Sequence, residues 1–294
     1  MGRVWLAAAT VGTAALLALA GCSRPPGTDG TLVDDWAAPP TPTSWRPAAN
    51  TCQPERFDET VSYARYHAID CAGPHRVETV FVGAFAEGSG PPPEGSPERR
   101  TAYADCLTRT AEFLGDDWRA GRVWLGLGMP SASAWSGGAR WYRCDLWEIK
   151  DKSDPADVQR TGSLKDALRG TRPLGFTCYA ATVRAETVEA MAAVACATPH
   201  NAEFAGVFVA PDVTYPATDA ERNTLAFNGC RSVAATFASV PNDANFYRRT
   251  GLIATTFSAQ EWAQGNRGFL CHLWFDQNTT RSMRGAGPGV LPAG

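Results

Sequence analysis

The chain has 294 residues, 27 of them basic and 30 acidic, for a formal net charge of -3. That length has room for two domains of ordinary size. The slight acidity, without any block of Lys or Arg, excludes nucleic acid as a partner, because such binding demands a basic footprint.

At the N-terminus a single charge, Arg3, precedes an apolar run from Val4 to Ala20 that closes on Leu19-Ala20-Gly21-Cys22. This pattern predicts a lipoprotein signal peptide over residues 1–21, with the Cys22 thiol accepting a diacylglyceryl group before cleavage. The alternative is an uncleaved membrane helix, for which the run is at the short end. The expected location is the extracytoplasmic face of the cell membrane, with the N-terminal lipid on Cys22 as the membrane contact. Residues 22–50 are rich in Pro, Thr, Ala and Gly and lack apolar periodicity, which predicts a semi-extended tether reaching at most about 80 Å.

A first unit is expected over residues 51–149. β-Branched and aromatic residues predict strands around Cys52, through Val61 to Cys71, and through Val77 to Phe85. Ser96-Pro97-Glu98 is a helix start, with Ser as cap and Pro at the first helical position. Tyr103, Cys106, Leu107, Thr110, Ala111 and Leu114 then recur at helical spacing, and Gly115 ends the run. Two more strands are expected, at about 122–127 and 140–148. Residues 150–175 are charged and polar and predict a linker, with a helical turn or two between Ser163 and Gly170. A second unit over 176–276 follows the same plan. Thr218 and Glu221 make a capping box, and Leu225, Cys230, Val233 and Phe237 form an expected inward stripe. Residues 277–294 carry Gly and Pro without evident core residues and predict a disordered tail.

The sequence repeats itself. Ser131 to Trp147 returns as Ser258 to Trp274 with eight of seventeen positions identical, and Cys71-Ala-Gly-Pro-His75-Arg-Val-Glu78 returns as Cys196-Ala-Thr-Pro-His200-Asn-Ala-Glu203. The fold class expected from this internal repeat is α+β: two homologous disulfide-stapled domains, each a small antiparallel sheet with one main helix. Beyond Cys22, the cysteines fall four to a unit: Cys52, Cys71, Cys106, Cys144 and Cys178, Cys196, Cys230, Cys271. Even numbers in an exported chain predict disulfides, and three connectivities are open in each unit. Pairing of first with second and third with fourth is preferred, because a cysteine on the helix needs a partner on the last strand. No Cys-x-x-Cys pair occurs, so no metal and no cofactor are expected.

Two residue constellations recur. His75 with Glu78, and His200 with Glu203, combine residue types suited to general base catalysis or metal ligation. Against that, His67 and His272 have no counterparts in the other unit and no nucleophile recurs, so a hydrogen-bonded structural or recognition pair is preferred. Trp135, Gly138 and Arg140 return as Trp262, Gly265 and Arg267. Trp and Arg are hot-spot residues at interfaces, but a Trp beside a disulfide is more often a core plug. Trp147 and Trp274, next to the final cysteines, are expected in the core.

Taken together, the lipoprotein signal, the C-A-x-P-H-x-x-E segment, the helix cysteine and the closing W-x-x-G-x-R-x-x-x-C resemble the septum-formation domain of high-GC Gram-positive bacteria, in tandem. The motif positions are Cys71, His75, Glu78, Cys106, Trp135, Gly138, Arg140 and Cys144, then Cys196, His200, Glu203, Cys230, Trp262, Gly265, Arg267 and Cys271. The resemblance implies a role in septum formation during cell division and supplies no enzymatic reaction. The leading expectation is therefore a lipid-anchored envelope protein that binds a division-site protein or cell-wall component. The alternatives are a secreted hydrolase or metal-dependent enzyme using a His/Glu pair, and an architectural spacer.

Overall fold

The computed structural model describes residues 44–88, 90–185 and 187–291. The expected signal peptide, Cys22 and most of the tether lie outside the described residues. In the first half, β1 (Thr51–Gln53), β2 (Val77–Ala84), β3 (Val123–Gly128) and β4 (Trp141–Glu148) form an antiparallel sheet in the order β1-β2-β4-β3. Helix α1 (Pro97–Leu114) crosses one face, and a short helix α2 (Ala132–Ser136) precedes β4. The second half contains β5 (Cys178–Arg184), β6 (Thr187–Val194), β7 (His200–Val209), β8 (Gly251–Thr256) and β9 (Gly268–Thr279), in the order β6-β5-β7-β9-β8. Helices α3 (Asp219–Ala238) and α4 (Ala259–Gln264) complete it. Without the edge strand β6, the two orders coincide.

Local chemistry sets the helix boundaries. The Ser96 hydroxyl accepts from the Arg99 N–H, Pro97 occupies the first turn, and Gly115 ends α1 in the left-handed region at φ 91°. That conformation is costly for any residue with a Cβ. Thr218 and Glu221 form the expected capping box on α3. Disulfides join Cys52–Cys71, Cys106–Cys144, Cys178–Cys196 and Cys230–Cys271, the preferred pairing. In each half one bridge fastens the helix to the last strand and the other closes the loop before the His-containing segment. The fold is α+β, built of antiparallel sheets stapled by disulfides.

Several expectations need correction. Residues 61–71 form no strand: a single 3-10 turn, Tyr63–Arg65, interrupts them, and the loop folds back to lay Tyr66 beside Trp45. The tether reading fails at its end, since Trp45 packs edge-on against Trp141 and Arg46 donates to the Val82 carbonyl at 2.7 Å. The linker reading of 150–175 fails at Leu164, Ala167, Leu168 and Leu174, all buried in the core. The tail after residue 277 also contributes to the core, through Met283 and Leu291. In each case isolated apolar residues are buried by a segment too short and irregular to show a period. On α3, Cys230 and Phe237 are buried as expected, but Ala226, Ala234, Ala235 and Ala238 share the inward face while Leu225 and Val233 are only partly covered. Small residues allow the helix to lie close to the sheet.

The two halves share one core. Trp118, Leu164 and Leu168 belong to the same cluster as Tyr179, Phe204, Ile253, Phe257 and Leu270. The sheet faces that turn away from the helices explain how. In the first half this far face is polar: Gln53, Thr79, Arg143 and Asp145 form a buried network. The chain's own 54–66 loop closes it, with Phe57 stacked on Trp147 and the Asp58 carbonyl accepting from Arg143. In the second half the register equivalents are Tyr179, Phe204, Leu270 and His272. The covering group there belongs to the first half. Arg119, in the turn Trp118–Ala120, lies so close to Gly268 that a Cβ at that position would meet its side chain at 2.6 Å, and it donates to Asn266 at 3.1 Å. The segment that folds back in the first half becomes the β5–β6 hairpin in the second, which leaves part of the far face open.

Candidate functional site

The His/Glu pairs do not converge. His75 and His200 are fully buried. Their Nδ1 atoms lie 2.8 Å from the carbonyls of Gly73 and Thr198 respectively, so Nδ1–H donates and Nε2 carries the lone pair. In both rings Nε2 is buried without a hydrogen-bond partner among the described residues. The carboxylates are engaged elsewhere. Glu78 accepts from the Ser163 hydroxyl at 2.7 Å and from the Leu164 N–H at 2.7 Å. Glu203 accepts from the Ser282 hydroxyl and from the Met283 N–H at 2.7 Å. Each Glu thus holds the segment that follows its own sheet. These residues are covered and bonded largely to backbone, an arrangement that serves folding and gives substrate no access.

The Trp/Arg pairs make structural contacts in both halves, and in the second half Trp262 and Arg267 also line an open recess with Asp212 and Tyr215. Trp135 is buried, and its indole N–H donates to the Gly88 carbonyl at 3.1 Å. Arg140 stacks on the Trp135 ring at 4.4 Å, donates to its carbonyl at 2.7 Å and pairs with Glu87. In the second half the Trp262 indole donates to the Val213 carbonyl at 2.9 Å and Arg267 pairs with Asp212. Each pair pins the loop that leads into the main helix of its half. Gly138 and Gly265 adopt φ 93° and 109°, positive values that favour glycine in the turn before the last strand. Trp147 and Trp274 are half-buried rather than enclosed.

Among the described residues, metal-ligand geometry is limited to Cys52, Cys71 and Glu78 and to Cys178, Cys196 and Glu203. Their sulfurs are already joined as disulfides, which removes the thiolates a metal would need.

Sequence reasoning missed an open recess on the far face of the second sheet. This cleft, of about 350 Å³, lies between the β5–β6 hairpin and the segment Asp151–Ser153, with Phe176, Leu270 and His272 among its lining. His272 is 4 % exposed and lies edge-on to Tyr179 and Phe204. Burial pushes its pKa down to about 4, so the ring is neutral at pH 7. Burial also pushes the Tyr179 phenol up. Lys152 rests over the rings of Trp124 and Phe257 at 4.4 and 3.8 Å from the centroids, and burial lowers its pKa. The sequence carried a signal for this site: His272 stands opposite Asp145, between a cysteine and a leucine that match in both halves. Chemically, the cleft offers apolar contact with a few polar groups and has the size of a small-molecule site.

The four disulfides fit an oxidising, extracytoplasmic compartment. No helix among the described residues is long and apolar enough to cross a membrane. No curated protein and no solved structure matches the chain. The family model described as septum formation matches residues 49–271 in one span that takes in both halves, and the chain belongs to that family.

Proposed function

We propose that this protein is a lipid-anchored component of the cell envelope that acts in septum formation by binding, without catalysing a reaction. The observation that carries the reading is the fate of the His/Glu pairs. Both are buried, with the histidine Nδ1 atoms and the glutamate carboxylates engaged in hydrogen bonds that close the fold, whereas an accessible recess on the far face of the second sheet is largely apolar. Membership of the septum formation family supports the cellular role. The Leu-Ala-Gly-Cys sequence ending at Cys22 supports the anchor, and the matching of two motifs across the halves supports their origin as copies of one module. The partner on this reading is a division-site protein or cell-wall component.

Imaging a tagged chain in dividing cells tests the proposal. The expected result is enrichment at septa, longer cells on depletion, and release of a Cys22→Ser variant from the membrane fraction. Uniform distribution with unchanged division would overturn the septal role, and membrane retention of Cys22→Ser would overturn the anchor.

A further inference from the structure

We propose that the cleft beneath the β5–β6 hairpin binds an anionic amphiphile, whose apolar body lies between Met191 and Leu270 and whose head is met by Lys152. The inference rests on the binding role proposed above and names the chemistry of its ligand. Charge complementarity decides the sign of the head. Glu189, on the hairpin, is paired with Arg184 at 3.3 Å. Asp151 accepts from the Ser153 N–H and hydroxyl at 3.2 and 3.1 Å. Lys152, by contrast, meets two aromatic faces and forms no ion pair and no hydrogen bond among the described residues, Glu261 acting on it only at longer range. A half-covered ammonium held only by ring faces retains hydrogen-bonding capacity for an anion.

Two further polar groups are unengaged. The Tyr179 hydroxyl makes no hydrogen bond among the described residues, and the enclosed Nδ1 of His272 has no hydrogen-bond partner among them, the nearest backbone acting on the ring being that of Ile253. Polar groups in proteins are normally satisfied, so an unpartnered phenol at the wall of an open cleft points to a missing partner. The first half shows what a completed version looks like. There Gln53 and Asp145 occupy the positions of Tyr179 and His272: Gln53 accepts from Arg143 at 3.1 Å, Asp145 pairs with Arg143 at 2.8 Å and accepts from the Thr79 hydroxyl at 2.7 Å, and the 54–66 loop seals them. The second half has lost both the ion pair and the seal, and has gained apolar walls.

The test uses the full oxidised chain carrying Cys22→Ser, so that no attached lipid competes, titrated with octyl phosphate, octanoate, octanol and octylamine. Calorimetry gives affinity, and the difference in tryptophan fluorescence between this chain and its Trp124→Phe variant isolates the ring that underlies Lys152 and reports on the head. Both anions should bind, with octanol and octylamine weaker by roughly tenfold or more, the loss of about one charge-assisted hydrogen bond. Tighter binding of octyl phosphate would indicate a lipid phosphate source, and tighter octanoate a fatty acid. Lys152→Gln should weaken both anions by roughly tenfold and leave octanol unchanged, and Met191→Trp, which fills the recess, should abolish all binding. Thermal melts establish that each variant is folded. Equal or tighter binding of octylamine, anion affinity indifferent to Lys152→Gln, or no binding of any probe would overturn the proposal. Those outcomes leave septal placement untouched, and a failure of septal placement leaves these affinities untouched.

Discussion

Glu203 in strand β7 accepts a hydrogen bond at 2.7 Å from the backbone N–H of Met283, in the segment that follows the last strand. The carboxylate also takes the hydroxyl of Ser282, so both its oxygens are engaged, and Met283 is nearly fully buried beside it. An amide at this position keeps one acceptor and sets a donor against a donor. Glu203→Gln should therefore destabilise the fold by about 1–3 kcal/mol and release residues after 279 to limited proteolysis. Glu78→Gln should do the same to the segment around Ser163. Urea unfolding and the mass of the proteolytic fragments check both. Unchanged stability with lost cellular function would instead mark these carboxylates as chemical groups.

Arg143 and Asp145 form an ion pair at 2.8 Å with both side chains almost wholly buried. Burial pushes the Asp145 carboxyl up, while Arg143 and the Thr79 hydroxyl pull it down. Removing only the arginine strands a charge that water cannot reach. Arg143→Leu should cost about 3–5 kcal/mol, and the double change Arg143→Leu with Asp145→Leu should recover most of the loss. Denaturant midpoints for the two single variants and the double variant decide it.

His272 supplies a pH dependence. Its folded pKa of about 4 lies below the ordinary histidine value of 6.5, so between those values the unfolded chain binds the extra proton and the native chain does not. Stability contributed by the neutral ring is complete above pH 6.5 and falls as pH drops toward 4. At about 1.4 kcal/mol per pKa unit, the loss is on the order of 3 kcal/mol. His272→Leu should flatten this part of the curve. The difference in urea midpoint between wild type and variant, taken at intervals from pH 7.5 to 4, isolates the histidine from the carboxylates.

The disulfides should contribute unequally. Cys230–Cys271 closes a separation of 41 residues and Cys178–Cys196 one of 18. Loop-closure entropy gives about 4 and about 3 kcal/mol respectively. Replacing each pair by alanines and comparing thermal midpoints checks the order. The longer bridge also fastens α3 to β9, so its loss should lower protection of the α3 amides in hydrogen exchange first.

Much of this architecture was legible because its devices are local or repeated. Ser96-Pro97 and the Thr218 capping box declare helix starts through nearby residues, and the paired cysteines declare staples by their number and by their recurring spacing. What escaped was set by non-local packing. Leu164 and Met283 lie in polar segments without apolar periodicity, and their burial follows from packing against the sheets, where Glu78 and Glu203 hold their backbone N–H groups. Trp45 sits among prolines and threonines that mask its contact with Trp141. The His/Glu spacing looked chemical because sequence shows residue types and not their bonding partners. The cleft was written as differences between the halves: Gln53 against Tyr179, Thr79 against Phe204, Arg143 against Leu270, Asp145 against His272. Polar positions that turn aromatic or aliphatic in only one half mark the face that meets a new neighbour.

That asymmetry makes the halves unequal in autonomy. The first closes its far face with its own loop, while the second borrows the turn around Arg119 and the rings of Trp118 and Trp124. A chain made from its N-terminus therefore completes the supporting surface before the dependent sheet emerges. Exchanging the order of the halves would leave Phe204 and Leu270 waiting in water for a platform not yet synthesised.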